Sequence, residues 1–370
     1  MTLEQSSKNK LILEPFLHFE NDRIYNPITD KTIQQQHPHY ESIINCRRLG
    51  VDHINNDLII QLLDNDWIVK DKGNLLSRFL LKVVSLEGNT HCNQRCFFCP
   101  VSENPKPIHT MPLDQYEEIV QQLAQYKDTI EGLFMINYNE PTVDKFFIER
   151  IEILNRYDLP ICINTNATGL NKKKVDQIME LGQLRFLSIN LSTIDPAKYD
   201  KDRKWKNLRL ILNNLEYLKN IPLAEEMVIA VLGEKDEEHE LNFKRIYEAF
   251  EDSYFDIKSF PIMDRAGHLN VGDKIDNTTN QLAGCDNLGS RPIQHLHINS
   301  FGECVLCCED YFEKYKMGDL KRETVHEVLT GKKAQYLRGL TYGLIQSPDN
   351  YICKKCIFAL TCKSSQINHG

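Results

Sequence analysis

At 370 residues the chain is longer than one small domain and suits a large α/β unit with an appended domain. A formal net charge of -8 with scattered Lys and Arg argues against a nucleic-acid partner, and no stretch approaches the ~18 continuous apolar residues of a membrane span. The start, MTLEQSSKNKLILEPF, lacks the charged head and apolar run of a secretory signal. A cytoplasmic protein is therefore expected, in which the twelve cysteines are not a disulfide framework and metal binding is the economical reading of those that cluster.

Residues 11 to about 80 read as a small module. LEPFLHFENDRIYNPITDKTI offers two short strands around a turn, with Asn21-Asp22 and Asn26-Pro27 as turn signals. HYESIINCRRLG and NDLIIQLLDNDWIV follow as two short amphipathic helices, the second running into a strand. From FLLKVVSLE onward, strand candidates at 80–86, 132–137, 160–164, 185–191, 227–232 and 255–260 alternate with helical stretches such as LDQYEEIVQQLAQYKDTI and NLRLILNNLEYLKN. Six β/α units at this spacing imply the α/β class, with a parallel sheet curled into a barrel or partial barrel. The alternation stops after DRAGHLNVGDKIDNTTNQLAG, a polar linker, and a cysteine-rich tail containing one helix-like segment, TVHEVLTGKKAQYLRGL, closes the chain. The expected domains are 1–79, 80–270 and 271–370.

Ten cysteines fall into two groups, 92 to 99 and 285 to 362. In THCNQRCFFCP, Cys92, Cys96 and Cys99 follow directly on the first strand candidate. Three thiolates suit three irons of a [4Fe-4S] cube, leaving the fourth iron open to a small chelating ligand. A structural zinc site wants four closed ligands, and His91 as the fourth would strain a tetrahedron with its neighbour Cys92.

Cys92-x3-Cys96-x2-Cys99 after the first strand of a six-unit β/α series resembles the radical S-adenosylmethionine (SAM) superfamily. The resemblance implies that the open iron binds the amino and carboxylate groups of SAM. It further implies that one electron cleaves SAM to a 5′-deoxyadenosyl radical, which abstracts a substrate hydrogen. It places Phe98 near the adenine. YNEP, Tyr138 to Pro141, resembles the family's Gly-Gly-Glu-Pro-like turn that binds the SAM ammonium, with Asn139 in place of a Gly and Glu140 as acceptor. NTNATGL, with Asn166, resembles the Thr-Asn-Gly segment after the third strand. SINLS, with Ser188 and Asn190, resembles the fourth-strand segment contacting the carboxylate and ribose, and DRAG, 264–267, the end of the sixth strand. Singly, a Glu-Pro is an ordinary turn and alternating Ser/Asn an ordinary polar face. Their order after the cysteine loop, each at the C-terminal end of a parallel strand, is what points to a site.

The second group comprises Cys285, Cys304, Cys307, Cys308, Cys353, Cys356 and Cys362. Gly302-x4-Cys307, MGDL and Cys353-x2-Cys356-x5-Cys362 resemble the SPASM/twitch extension of the superfamily, although its closing cysteines are absent. The resemblance implies one auxiliary [4Fe-4S] cluster on Cys285, Cys307, Cys353 and Cys356. Cys304, Cys308 and Cys362 are left as alternate ligands or as a catalytic thiol facing the substrate. The competing pattern is zinc on Cys304-x2-Cys307 and Cys353-x2-Cys356. Cys46 and Cys162 read as core residues.

The N-terminal module is similar to part of the winged-helix peptide-recognition domain of enzymes that modify ribosomal peptides, in which a leader peptide adds as a strand. A third helix is missing, which implies a separate small recognition protein as partner. The expected function is SAM-dependent radical modification of a ribosomally made precursor peptide, with a flavodoxin or ferredoxin as reductant. Splicease-type backbone excision is favoured over epimerisation or crosslinking. The alternatives are a twitch-type dehydrogenase or epimerase of a sugar or aminocyclitol, and a non-catalytic zinc or iron-sulfur assembly factor.

Overall fold

The computed structural model describes residues 10–20 and 22–362; Asn21 of the first turn signal and the first nine residues of the N-terminal module lie outside the described residues. The chain forms two compact units. One takes the described parts of Met1–Leu80 and His326–Gly370 together with Ile275–His295; the other takes Leu81–Lys274 and Leu296–Val325.

In the latter, six strands stand side by side in chain order and in parallel: β1 (Val83–Leu86), β2 (Gly132–Phe134), β3 (Ile161–Thr165), β4 (Leu184–Asn190), β5 (Ala224–Gly233) and β6 (Asp256–Pro261). The α/β class and the parallel sheet expected from the β/α spacing are borne out. Val84 to Leu86 of β1 and Ile161 to Ile163 of β3 are buried without alternation, the pattern of strands covered on both faces. Strand β2 ends at Phe134, three residues earlier than its apolar run suggests, because the chain turns there into the segment carrying Asn139 and Glu140. Beyond β1 the sheet continues through β7 (His295–Ile298), β8 (Glu303–Val305) and β9 (Lys316–Asp319), the last two pairings antiparallel. A strand-forming tail thus occupies the hydrogen-bonding edge that β1 would otherwise present.

Six helices lie between the parallel strands: α1 (Leu113–Leu123), α2 (Phe147–Arg156), α3 (Lys172–Leu181), α4 (Pro196–Arg203), α5 (Leu208–Leu218) and α6 (Glu237–Phe250). Asn171, Asp195, Asn207 and Asp236 cap α3 to α6 by accepting the backbone N–H three residues on. Among the described residues no helix is long and apolar enough to cross a membrane.

The other unit begins with Leu11–Leu13, paired antiparallel to Ile68–Lys70. An antiparallel sheet of His18–Phe19, Arg23–Asn26 and Lys31–Gln34 follows. The expected hairpin thus has a third strand, since the chain reverses again through Asp30, which adopts a left-handed φ of 58°. Helices Tyr40–Leu49 and Asn56–Asp64 pack Ile43 and Leu62 against Ile24, Trp67 and Ile68, with Cys46 among them. Cys162 is likewise buried, in β3. The single helix expected after Thr324 is two, Val325–Thr330 and Lys332–Thr341, interrupted at Gly331. Arg338 of the second is fully buried and donates to the carbonyls of Leu76, Pro292 and Leu329, so one side chain fastens three separate stretches of this unit.

Candidate active site

The loop after β1 is held by two buried ionisable side chains, Arg150 and Glu87. Arg150 of α2 donates to the carbonyls of Gly88 at 3.0 Å and Met111 at 2.5 Å, and pairs with Asp144 at 2.8 Å. A Cβ on Gly88 would meet the guanidinium Nε at 2.6 Å, so only glycine fits there. Glu87 accepts the backbone N–H groups of Tyr138 at 3.3 Å and Ser300 at 3.2 Å, and its burial pushes its pKa up. The loop is further pinned by bonds from the N–H of Arg95 to the carbonyl of Arg203, and from the N–H of Glu140 to the carbonyl of His91.

A cavity of about 190 Å³ opens over the ends of the parallel strands. Cys92, Cys96 and Cys99 line it together with Phe98, Asn139, Glu140, Asn166 and Asn190, so residues from four expected segments meet in one place. Ser188 does not line it; it stands two residues back along β4, half-buried on the same face as Asn190. His91 is also absent from the lining. Burial pushes the Cys92 thiol up to about 12 and the Cys99 thiol up to about 11, and raises that of Cys96, against which the positive charge of Arg203 acts. Thiols so placed lose their protons to a bound cation rather than to water. Among the described residues no three His, Cys, Asp or Glu side chains converge on a single metal ion. Cys92, Cys96 and Cys99 all border the same cavity, and three thiols are the donor set that a [4Fe-4S] cluster with one open iron takes.

Glu140 is buried, which raises its pKa, and both its oxygens are engaged. Oε1 accepts from the hydroxyls of Thr142 at 2.6 Å and Thr165 at 2.5 Å and from the N–H of Thr142, and Oε2 from the N–H of Asn166 at 2.6 Å. The carboxylate therefore ties the turn after β2 to that after β3, and only Oε2 keeps acceptor capacity for a ligand. Asn166 donates to Asn93 of the cysteine loop at 2.9 Å, while the Asn139 side chain accepts the N–H of Asn137 at 3.0 Å. In place of a flexible Gly, Asn139 braces the turn with its own side chain.

Among the further lining residues are three polar ones that the sequence reading does not single out, although Tyr138 and Arg265 lie within its YNEP and DRAG segments. Arg203, the last residue of α4, donates to Asn190, Ser192, Gln94 and the Cys96 sulfur. Arg265, within DRAG, is presented by successive left-handed residues, Arg265 (φ 56°), Ala266 (φ 53°) and Gly267 (φ 82°), and donates to buried Glu309 at 3.3 Å. Tyr138 is the third, and its hydroxyl donates to the carbonyl of Cys308.

The tail cysteines part company. Cys308 lines the cavity, with its sulfur 3.8 Å from Glu309 Oε1. Cys304 does not; it is fully buried in β8, and burial raises its pKa. Cys362 lies in the strand Ala359–Cys362, where it accepts from Arg47 at 3.1 Å. Of the three candidate thiols only Cys308 stands with the expected SAM-site residues. Cys285, Cys353 and Cys356 belong to the unit containing the N-terminal module and Cys307 to the other. Strand pairing sets Cys285 opposite Ala359, three residues beyond Cys356.

A radical SAM superfamily model matches residues 87–245, and an iron-sulfur cluster-binding SPASM domain model matches residues 285–357. Among curated proteins, the uncharacterized protein MJ0103 of Methanocaldococcus jannaschii is 26% identical over 251 residues, covering 63% of this chain and 54% of that protein. The putative peptide biosynthesis protein YydG of Bacillus subtilis is 28% identical over 189 residues, covering 49% of this chain and 55% of that protein. The chain thus spans about half the length of the curated relatives it matches. Among solved structures, Streptococcus suis SuiB bound to S-adenosylmethionine superposes with a TM-score of 0.56 at 13% identity, covering 94% of this chain and 93% of that one. SuiB bound to the precursor peptide SuiA gives 0.56 at 12%, covering 88% and 90%. At these identities the likeness is one of fold.

Proposed function

We propose, for a chain that belongs to the radical SAM superfamily and carries its SPASM iron-sulfur domain, a cytoplasmic enzyme that alters a residue of a ribosomally made precursor peptide. The observation that carries this reading is the gathering of Cys92, Cys96, Cys99 and Cys308 on one cavity over the strand ends. The similarity to YydG, a putative peptide biosynthesis protein, and the SuiB complex with a precursor peptide supply the substrate class.

Cys92, Cys96 and Cys99 would hold the [4Fe-4S] cluster, and Phe98, Asn139, Glu140, Asn166 and Asn190 the SAM. When bound, the pair supplies one electron and a 5′-deoxyadenosyl radical that abstracts hydrogen. The protein's own contribution is position and exclusion of water, since an unguarded radical reacts with the wrong C–H bond. The SPASM domain brings auxiliary iron-sulfur chemistry, for which Cys285, Cys353 and Cys356 are the thiol donors of the unit that contains them. In that unit Lys31–Gln34 is an outer strand of its sheet, where a leader peptide would add as a further strand. A separate recognition protein would share that task.

Epimerisation is the outcome this lining favours over the backbone excision suggested by sequence. Cys308 Sγ would return a hydrogen atom to the substrate carbon, and the sulfur would recover one electron from a flavodoxin- or ferredoxin-type reductant and one proton from solvent. Tyr138, through the Cys308 carbonyl, and Glu309, beside its sulfur, keep the thiol in place.

The test is anaerobic reconstitution, iron and sulfide analysis, and reaction with SAM, dithionite and the product of a short open reading frame beside the gene, in D₂O. Deuterium at one Cα, a D-residue after hydrolysis and an unchanged chain length are expected. Loss of a tyrosine-derived mass would return the reading to excision. Deoxyadenosine release stimulated by an aminocyclitol and by no peptide would overturn the substrate class.

A further inference from the structure

Arg203 is 2% exposed, yet it forms no ion pair with a carboxylate among the described residues. Its neighbour Asp202 is paired instead to Lys198 at 3.0 Å. The groups that hold it are neutral. Nη2 donates to Asn190 Oδ1 at 2.7 Å and Ser192 Oγ at 2.8 Å, and Nη1 reaches Gln94 Oε1 at 3.4 Å. Its guanidinium carbon stands 5.2 Å from the ring centroid of Phe98 and 5.5 Å from that of Tyr199. The remaining contact of Nη1 is the sulfur of Cys96, at 3.8 Å.

Leaving a guanidinium buried without a counter-ion is unfavourable enough that interiors rarely do so. An anion is expected beside this guanidinium when the site is loaded, and the sulfur it faces at 3.8 Å is the one that the chain itself supplies. Gln94 belongs to the same network: its Oε1 accepts from the Cys96 thiol at 3.6 Å and from Arg203 Nη1, and its Nε2 donates to the Tyr199 hydroxyl at 2.6 Å. Cys96, Gln94 and Arg203 thus form one network, with the cation at its fixed end.

We infer that Arg203 is a positioning residue for the reducing cluster, holding a fixed positive charge and an N–H···S contact on Cys96 so that the cluster accepts its electron more readily. Reduction adds one negative charge to the cluster, delivered by an external one-electron donor. A nearby cation and a hydrogen bond to a ligand sulfur both stabilise the reduced form relative to the oxidised one. The inference is independent of the substrate and rests only on a cluster at Cys92, Cys96 and Cys99.

The full-length protein, reconstituted without oxygen, would be titrated potentiometrically with dithionite while following the EPR signal that changes on addition of SAM. R203Q should show about tenfold less reduced over oxidised cluster at the wild-type midpoint, a downward shift of about 59 mV for a one-electron couple, with iron per chain unchanged. R203K keeps the charge without the planar fork, so it should shift in the same direction by less. It also decides the matter if R203Q does not fold. An unchanged midpoint in an iron-loaded variant overturns the inference. An unchanged midpoint with the SAM response lost overturns it too, and moves Arg203 to SAM binding. Wild-type protein that takes up no iron at the first three cysteines would sink the functional reading and the inference together.

Discussion

Cys92, Cys96 and Cys99 stand within eight residues of one another and line one cavity, whereas the seven cysteines from Cys285 to Cys362 are dealt out to quite different surroundings. Cys304 is sealed in a strand, Cys308 borders the cavity, and Cys362 lies on a two-stranded ribbon. Short spacing lets a single loop decide where the side chains go. Over a span as long as the tail's, strand pairing decides instead, and residues as close as Cys304 and Cys308 end in unrelated roles.

The largest effect should come from a ligand of the compact group. Cys96→Ala should abolish cluster assembly at that site and all SAM cleavage, read as iron per chain and 5′-deoxyadenosine release. Cys304→Ala should leave SAM cleavage intact and cost only stability, about 1–2 kcal/mol for a small buried side chain, seen in urea unfolding. If Cys304→Ala also stopped SAM cleavage, the division between the groups would collapse.

Cys308→Ala probes the tail residue that has crossed to the first group's cavity. It should still release 5′-deoxyadenosine while losing at least tenfold in epimerised peptide, measured by mass spectrometry after deuterium labelling. Unaltered product formation would return Cys308 to the structural cysteines.

The compact group depends on its support as well as on its spacing. Arg150→Met keeps the volume but leaves Asp144 uncompensated and the Gly88 and Met111 carbonyls without their donor. Both side chains of the pair are nearly inaccessible, 1% and 3% exposed, so the loss should be about 3–5 kcal/mol. Urea denaturation of the iron-free protein would measure it. A change under 1 kcal/mol would mean that the loop holds its shape unaided.

The same contrast explains what was legible in the sequence. Buried strands announce themselves by apolar runs, and turns at strand ends by Asn, Glu and Gly, so the six parallel strands are legible and Glu140, Asn166 and Asn190 fall on one cavity. Ser188 fell short because alternation identifies a strand face but not the depth at which a cavity opens. Arg203 was invisible, since charged side chains are taken by default as solvated; the hint was its place in the last turn of α4, just before Lys204 adopts a left-handed φ of 49°. Arg265 depends on a run of left-handed residues that DRAG does not advertise. The extension through β7 to β9 and the position of Cys308 are products of long-range pairing, which local pattern does not encode.

Glu87 gives the smallest effect and tests the link between the two regions, because its carboxylate holds Tyr138 on one side and Ser300 of the tail on the other. Burial is the largest influence on it and raises its pKa above the ordinary 4.5, with Lys106 and the two backbone donors acting against the rise. The folded state therefore keeps the proton that the unfolded chain gives up. Its stabilising contribution is complete below pH 4.5 and declines as the pH climbs from there through the folded pKa. Glu87→Gln fixes the neutral form, so thermal melts of the variant across this range should lose that downward slope while the wild type keeps it. A wild-type slope of the opposite sign would mean that Lys106 outweighs burial and that the carboxylate is charged where it joins the two regions.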